Sequence, residues 1–239
     1  MNIAAILAGG TGVRFGGDIP KQFISLAGKT LIEYSIEAFQ QHPLIDEIVI
    51  VVPSMYISKC EKYKQNYSKL QKIVAGGKER YHSTLAVLSA YKTYKEANII
   101  LHDGVRPLIT QQMINDVVSA LHKYNAATLA VKTTDTIIQS SENNVVNGIL
   151  DRSALWNVQT PQAFKLSVLQ QAFELALKDS NFHATDDSAV VFNYLKSEKI
   201  AIVEGDVSHI KLTYPSDVLY AEKLLLSKLK NNDVSFKNQ

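Results

Sequence analysis

Six short runs of apolar, largely β-branched residues recur along the chain, at 3–8, 47–52, 72–75, 98–101, 128–131 and 200–203. Most are nearly continuous rather than alternating. A strand can be apolar on both faces only where both are covered, as in a parallel sheet flanked by helices. The segments between them carry helical spacing: 30–39 places Leu31, Tyr34, Ile36 and Phe39 near one stripe, 83–94 does so with Leu85, Leu88 and Tyr91, and 110–124 with Met113, Val117, Leu121 and Tyr124. This repeated strand-then-helix order predicts an α/β fold with a single doubly wound, mostly parallel sheet. Ligands of such sheets sit in the crevice beyond the carboxyl ends of the strands.

The pattern changes between residues 132 and 158. Short extended pieces at 135–139 and 144–150 flank the polar turn 140–144, predicting a β arm at about 133–158 rather than a new domain. A last helix is expected over 215–229, with Pro215 in its first turn and Asp217 where the helix dipole favours negative charge. The polar stretch 230–239 is expected to fray. A chain of 239 residues with 46% apolar and 20% charged side chains belongs to the globular class, and residues 1–229 are read as one domain.

Charge and cysteine content narrow the partners. Twenty-five Lys and Arg against 23 Asp and Glu leave +2, too balanced to argue for nucleic acid or a membrane surface, so any cationic site must be local. One cysteine, Cys60, can form neither an internal disulfide nor a thiolate zinc site, which fits a reducing compartment. No apolar stretch approaches about 18 residues, and Met1-Asn2-Ile3 lacks the basic start of a signal peptide. The expected location is cytoplasmic.

The first strand runs into Gly9-Gly10-Thr11-Gly12-Val13-Arg14-Phe15-Gly16-Gly17. Glycines there let backbone N–H groups face an anion, and Arg14 and Lys21 add charged phosphate donors. Two other nucleotide motifs fail on spacing. Phe15 replaces the third glycine of the dinucleotide fingerprint, and Phe23 stands where a P-loop leading to Gly28-Lys29-Thr30 needs its first glycine. His102-Asp103-Gly104-Val105-Arg106-Pro107 ends the fourth strand. There Asp103 can hold Mg²⁺, orient a substrate hydroxyl or close the strand end as a buried Asp–Arg pair, and Arg106 can grip a phosphate. Gly76-Gly77-Lys78-Glu79-Arg80 ends the third strand, and Ser83 can meet a nucleobase or phosphate, or serve as a plain N-cap. Thr133-Thr134-Asp135-Thr136 and Gln159-Thr160-Pro161-Gln162 bracket the arm and read as turn chemistry. Ile210-Lys211-Leu212 reads as a short strand carrying an edge lysine. The run Lys59, Lys62, Lys64, Lys69, Lys72 reads as a solvated helix face, and His42, His82, His122 and His183 have no ligand spacing.

Taken in order, Leu7-Ala8-Gly9-Gly10 with Gly12 and Arg14, Pro20-Lys21-Gln22-Phe23, Gly76-Gly77 with Arg80, His102-Asp103 with Arg106-Pro107, Asp135-Thr136, Asp151-Arg152-Ser153 with Leu155-Trp156, Gln159-Thr160-Pro161-Gln162 with Phe164, Thr185-Asp186 and Ile210-Lys211 with Thr213 form a long, spaced series. From about residue 3 to 229 the chain resembles the 2-C-methyl-D-erythritol 4-phosphate cytidylyltransferases and the related ribitol-5-phosphate cytidylyltransferases. The resemblance implies a Rossmann-like nucleotidyltransferase fold and transfer of CMP from CTP to a polyol phosphate, with Mg²⁺ and release of pyrophosphate. It implies catalytic roles for Arg14, Lys21, Arg152 and Lys211, with Arg14 and Lys21 neutralising the triphosphate. Ala8, Gly9, Gly10, Gly12, Gly76, Gly77, Arg80 and Ser83 would hold the cytidine nucleotide. Asp103, Arg106, Thr136 and Thr160 would surround the acceptor, with Asp103 also the candidate for the metal. Arg152 would reach from the arm into the site of a second subunit, making the enzyme a homodimer.

The two branches differ in their acceptor. Ala8-Gly9-Gly10 and Gly104-Val105 look like the ribitol branch, whereas Asp151-Arg152-Ser153-Ala154-Leu155-Trp156 and Thr185-Asp186-Asp187-Ser188-Ala189 look like the methylerythritol branch. His209 and Tyr214 stand where both usually carry asparagine and a small residue. Methylerythritol phosphate is the expected acceptor and ribitol 5-phosphate the alternative. A nucleotide-binding protein without turnover is a third reading, against which stand Arg14, Lys21 and Lys211.

Overall fold

The computed structural model describes residues 1–10, 19–94, 96–141 and 144–236, with side chains through Ser227. The chain order is β1 (Asn2–Leu7), β2 (Ser25–Leu26), β3 (Lys29–Thr30), α1 (Leu31–Gln41), β4 (Glu47–Val52), α2 (Ile57–Cys60), α3 (Tyr63–Asn66), β5 (Leu70–Ala75), α4 (Arg80–Ala90), β6 (Asn98–Asp103), α5 (Gln111–Ala120) and β7 (Ala126–Lys132). It continues with β8 (Ile138–Ser140), β9 (Val146–Ile149), β10 (Trp156–Lys165), α6 (Leu166–Ala176), α7 (Asp187–Tyr194), β11 (Ile200–Glu204) and α8 (Pro215–Phe236).

Seven strands form the main sheet in the order β11-β7-β10-β6-β1-β4-β5. All neighbours are parallel except β10, which runs antiparallel between β6 and β7. The expected mostly parallel α/β sheet is therefore present. Its two faces explain the continuous apolar runs: on β1, Ala4 and Ile6 pack with α1 and α5, while Ile3, Ala5 and Leu7 pack with α4, α6 and α7. Each fully buried Ile, Val or Leu contributes roughly 1.5–3 kcal/mol, so the sheet centre is a rigid base for the loops at its edge. A smaller cluster joins Leu26, Leu31 and Leu108 to Leu212 and to Ala221 of α8.

Local signals set the helix starts. Thr30 and Glu33 form a capping box at α1, and Thr110 Oγ1 accepts from the Met113 amide at α5. At α8, Asp217 accepts from the amides of Thr213 and Tyr214, at 2.7 and 2.8 Å. The helix runs through Phe236, past residue 229.

Several expectations need correction. Gln159-Thr160-Pro161-Gln162 is part of β10, not turn chemistry; its register shifts between Val158 and Gln162, the kind of irregularity where proline is tolerated. The strand is hard to read because Gln159, Thr160 and Gln162 are buried polar residues: Gln159 Nε2 donates to the Asp206 carbonyl, Thr160 Oγ1 accepts from the Asp103 amide and Gln162 Nε2 donates to Thr128 Oγ1. Helices α6 and α7 add to the helices that the spacing predicts. Ile210-Lys211-Leu212 is not a strand; it is an irregular segment held by burial of Leu212 and by the Leu212 amide donating to the Val105 carbonyl. The lysine run is not one helix face, since it spans α2, α3 and β5, and Lys72 lies 3.6 Å from the centroid of the Tyr91 ring.

The arm is the antiparallel pair β8–β9, with Ile138 opposite Ile149. It leaves Ile138, Val145, Val146 and Ile149 exposed.

Candidate active site

Strands β1, β5 and β6 bring three loops to one end of the sheet. Ala8, Gly9 and Gly10 leave β1, Gly76 and Gly77 leave β5, and Asp103 closes β6 beside Leu7 of β1. The first two loops approach too closely for side chains. A Cβ on Gly9 would lie 2.7 Å from Ser83 Oγ and 3.2 Å from Gly76 Cα, and one on Gly76 would lie 2.9 Å from Gly9 Cα. Gln22 braces the first loop from beneath, its amide donating to the carbonyls of Ala8 and Gly10 at 2.6 and 2.9 Å. Together with Lys21, Arg80, Ser83, Asp103 and Lys211 these loops line a cavity of about 210 Å³. A larger cavity of about 510 Å³ lies at the amino end of the sheet around Met1, Asn98 and Lys165, but its charged lining residues are not buried and it holds none of the expected site residues.

Asp103 organises the charges. Lys211 Nζ lies 2.8 Å from its Oδ2, Arg80 Nε 3.3 Å from its Oδ1 and Arg106 Nε 3.9 Å from Oδ2. Burial alone would raise the carboxyl pKa, but Arg80, Lys211 and Arg106 outweigh it and hold the group well below the ordinary carboxylate range, so Asp103 is ionised. The cluster thus offers three cations gathered on one anion at the cavity wall. Lys21, on a 3₁₀ turn, donates to the Leu212 carbonyl at 3.2 Å, which sets it next to the Lys211 segment.

Beneath the cluster lies a buried hydrogen-bond relay. Thr160 Oγ1 accepts from the Asp103 amide at 3.0 Å and lies 3.3 Å from His102 Nδ1; His102 Nε2 in turn lies 3.1 Å from the Arg106 carbonyl. With Nε2 protonated, that nitrogen donates to Arg106 and Nδ1 accepts from the Thr160 hydroxyl. The His209 ring stacks on His102 and its Nε2 donates to the Thr160 carbonyl at 2.7 Å, while Arg106 Nη1 donates to the His209 carbonyl at 2.9 Å. Burial, then His209 and Arg106, lower His102 to about 3, and burial with Arg106 lowers His209 to about 4, so both are neutral. His102 and His209 therefore shape the wall rather than exchange protons near neutral pH.

The expected residues that the structure describes fall into three sets. Ala8, Gly9, Gly10, Gly76, Gly77, Arg80, Ser83, Lys21, Asp103 and Lys211 meet at the cavity; Arg106 and Thr160 lie directly behind it. Ser83 is not an N-cap, because α4 starts at Arg80 with Glu79 and His82 forming the capping box. Thr136 and Arg152 stand apart on the arm side, exposed and not lining the cavity, with Arg152 Nη1 donating to the Thr134 carbonyl at 3.2 Å. Gly12 and Arg14 lie outside the described residues. Sequence reasoning gave no role to Gln22, Gln162 or Asp187; only their places inside the quoted motifs signalled them. Among the described residues no group of three or more His, Cys, Asp or Glu is arranged to hold a metal.

A sequence model of the family described as IspD, 2-C-methyl-D-erythritol 4-phosphate cytidylyltransferase, matches residues 2–227. The chain belongs to this family. It is 41% identical over 229 residues to the 2-C-methyl-D-erythritol 4-phosphate cytidylyltransferase of Thermobifida fusca (strain YX), covering 93% of this chain and 92% of that protein. It is 39% identical over 231 residues to the bifunctional ribulose 5-phosphate reductase/CDP-ribitol pyrophosphorylase Bcs1 of Haemophilus influenzae, covering 95% of this chain but 48% of that longer protein. The solved structure of 4-diphosphocytidyl-2C-methyl-D-erythritol synthase from Anaerococcus prevotii DSM 20548 superposes with a TM-score of 0.84 at 28% identity, covering 95% of this chain and 98% of that one. Family membership makes the chain an enzyme, a nucleotidyltransferase of the IspD type.

Proposed function

We propose that the chain transfers CMP from CTP to 2-C-methyl-D-erythritol 4-phosphate and releases pyrophosphate. The observation that carries this reading is the gathering of Arg80, Arg106 and Lys211 on Asp103, beside Lys21 and the two glycine loops. Near neutral pH the acceptor's phosphate is ionised, so its oxygen attacks the α-phosphorus without a general base. The new P–O bond forms as the bond to the β-phosphate breaks, and the electron pair leaves with pyrophosphate. What the protein must supply is alignment and charge compensation for two mutually repelling anions. Backbone N–H groups of the loops, with Ser83, would take the cytidine nucleotide; Lys21, Lys211 and Arg14 would meet the phosphates; Arg106, with Thr160 behind it, would face the acceptor.

The residues fit Mg²⁺ that arrives on the triphosphate better than a resident ion. Asp103 is the candidate carboxylate, and its oxygens already meet cations, so the remaining ligands would come from phosphate and water. The ion would neutralise triphosphate charge. Thr136 and Arg152 would act in the site of a second copy, in a homodimer. Supporting this are their exposure, their distance from the chain's own cavity lining and the exposed apolar side chains of the arm. Residues 1–229 would work as one nucleotidyltransferase domain, in a cytoplasm that keeps the lone Cys60 reduced. Among the described residues no helix is long and apolar enough to cross a membrane.

A second acceptor, ribitol 5-phosphate, is favoured by one observation. A Cβ on Gly104 would lie 3.1 Å from Ile6 Cγ2 and 3.2 Å from Ala8 Cβ, so the Gly104-Val105 pair seen in the ribitol branch is matched to a tight wall here. Purified protein with CTP and each polyol phosphate, followed by pyrophosphate release, decides between the two. The proposal expects the higher kcat/KM with the methylerythritol phosphate, and a strong preference for ribitol 5-phosphate would overturn it.

A further inference from the structure

Arg80 lines the cavity and bridges two carboxylates. Its Nε meets Asp103 Oδ1 at 3.3 Å, and its Nη1 donates to Asp187 Oδ2 at 2.5 Å. Asp187 lines no part of the cavity and is 1% exposed. Its other oxygen accepts from the Thr84 hydroxyl at 2.7 Å, so the carboxylate is held at both ends. The backbone under it is also fixed: the amides of Asp187 and Ser188 both donate to Gln162 Oε1, at 3.2 and 3.3 Å, and Gln162 Nε2 is tied to Thr128 of β7 at 3.1 Å. Helix capping does not account for Asp187, because Asp186 caps α7 by accepting from the Ala189 amide at 2.7 Å.

A stability role alone is also a weak explanation. Buried ion pairs contribute little net stability compared with apolar packing of similar volume, and here Arg80 Nη2 remains buried without a hydrogen-bond partner. What the arrangement achieves is a division of charge. Arg80 and Lys211 approach different oxygens of Asp103, and Asp187 compensates Arg80 from behind. With Asp187 neutral, the whole Arg80 charge would turn to Asp103 and compete with Lys211 for it.

We propose that Asp187 is a positioning residue for the transfer reaction: it fixes Arg80 in the cavity wall and thereby leaves Asp103 Oδ2 to orient Lys211. The inference rests on the reading of this cavity as the cytidylyl-transfer site.

The test is a double-mutant cycle with Asp187→Asn, Arg80→Ala and the pair, read by initial-rate kinetics and thermal unfolding of the full chain. Asp187→Asn is expected to lower kcat about tenfold or more, with a lower KM for CTP, since the surroundings of the cavity become one charge more positive. In the Arg80→Ala background the same change is expected to alter kcat less than about twofold and to raise Tm, because it removes a carboxylate stranded by the loss of Arg80. An equal loss of kcat with and without Arg80 would overturn the proposal, as would near-normal kcat in Asp187→Asn. Should Arg80→Ala not fold, Arg80→Met paired with Asp187→Asn serves in its place. If the wild-type chain releases no pyrophosphate from CTP with either polyol phosphate, the reading of the site fails on its own. Calorimetric titration of the same four proteins with CTP then still decides the role of Asp187, which must change CTP affinity only where Arg80 is present.

Discussion

The wall around Asp103 and the arm carrying Thr136 and Arg152 are opposite kinds of construction. Around Asp103, Arg106, Thr160, His102 and His209 are buried, and each is held by contacts from several elements. On the arm, Ile138, Val146 and Ile149 of the β8–β9 pair are exposed, as are Thr136 and Arg152. The difference teaches how labour is divided. One region is preorganised before any ligand arrives, as electrostatic catalysis requires, and the other presents exposed groups that the proposed homodimer would use.

Substitutions should separate the two regions. The largest effect is expected from Lys211→Ala, which removes a cavity cation and leaves Asp103 less compensated; kcat should fall by about 10²–10³-fold, and turnover within a few-fold of wild type would break the account of the cluster. Lys21→Ala should also lower kcat more than it lowers Tm, with a smaller loss if its bond to the Leu212 carbonyl is its main task. Arg152→Ala comes next. Its side chain is exposed, so Tm should shift by no more than about 1–2 °C while kcat falls by about tenfold or more; unchanged kinetics would remove Arg152 from the site.

The buried wall carries a pH signature of its own. His102 and His209 are lowered from 6.5 to about 3 and about 4, chiefly by burial. As pH falls below 6.5 the unfolded chain takes up protons that the folded chain refuses, so stability is present above that value and is lost from there down toward pH 4. Thermal unfolding between those limits should show a declining Tm, and His209→Gln should make the decline shallower. The same slope in both proteins would assign the loss to other groups. The smallest effect is expected from Ile149→Ser on the arm, with a Tm change corresponding to about 0.5 kcal/mol or less but weaker self-association in sedimentation, and an unchanged association constant would take the arm out of the interface.

Legibility followed burial and chemistry unevenly. The strands of the parallel sheet could be read because two covered faces force unbroken apolar runs such as 48–52. The first glycine loop, Lys21 and Asp103 could be read because phosphate chemistry favours those residue types at strand ends, whereas the residues alone read Lys211 as an edge lysine and only the family resemblance pointed to it; the structure brings all of them to one cavity. Strand β10 could not, because Gln159, Thr160 and Gln162 turn polar groups inward where the site needs them and erase the hydrophobic signal. The Lys211 segment resembled a strand for the converse reason: Ile210 and Leu212 are apolar because they pack with α8, not because they join a sheet. Asp187 was hidden as well, since no spacing rule links residue 187 to residue 80; only the packing of α7 against α4 makes them neighbours.

The claim that one chain supplies the preorganised wall and another supplies the arm is tested most directly by mixing two impaired variants. Lys211→Ala has an intact arm and Arg152→Ala an intact wall. After co-refolding at equal amounts, random pairing gives about half heterodimers, each with one complete site, so the mixture should recover about a quarter of wild-type turnover. No recovery in heterodimers verified by differential tagging would contradict the account and return Arg152 to its own chain's site.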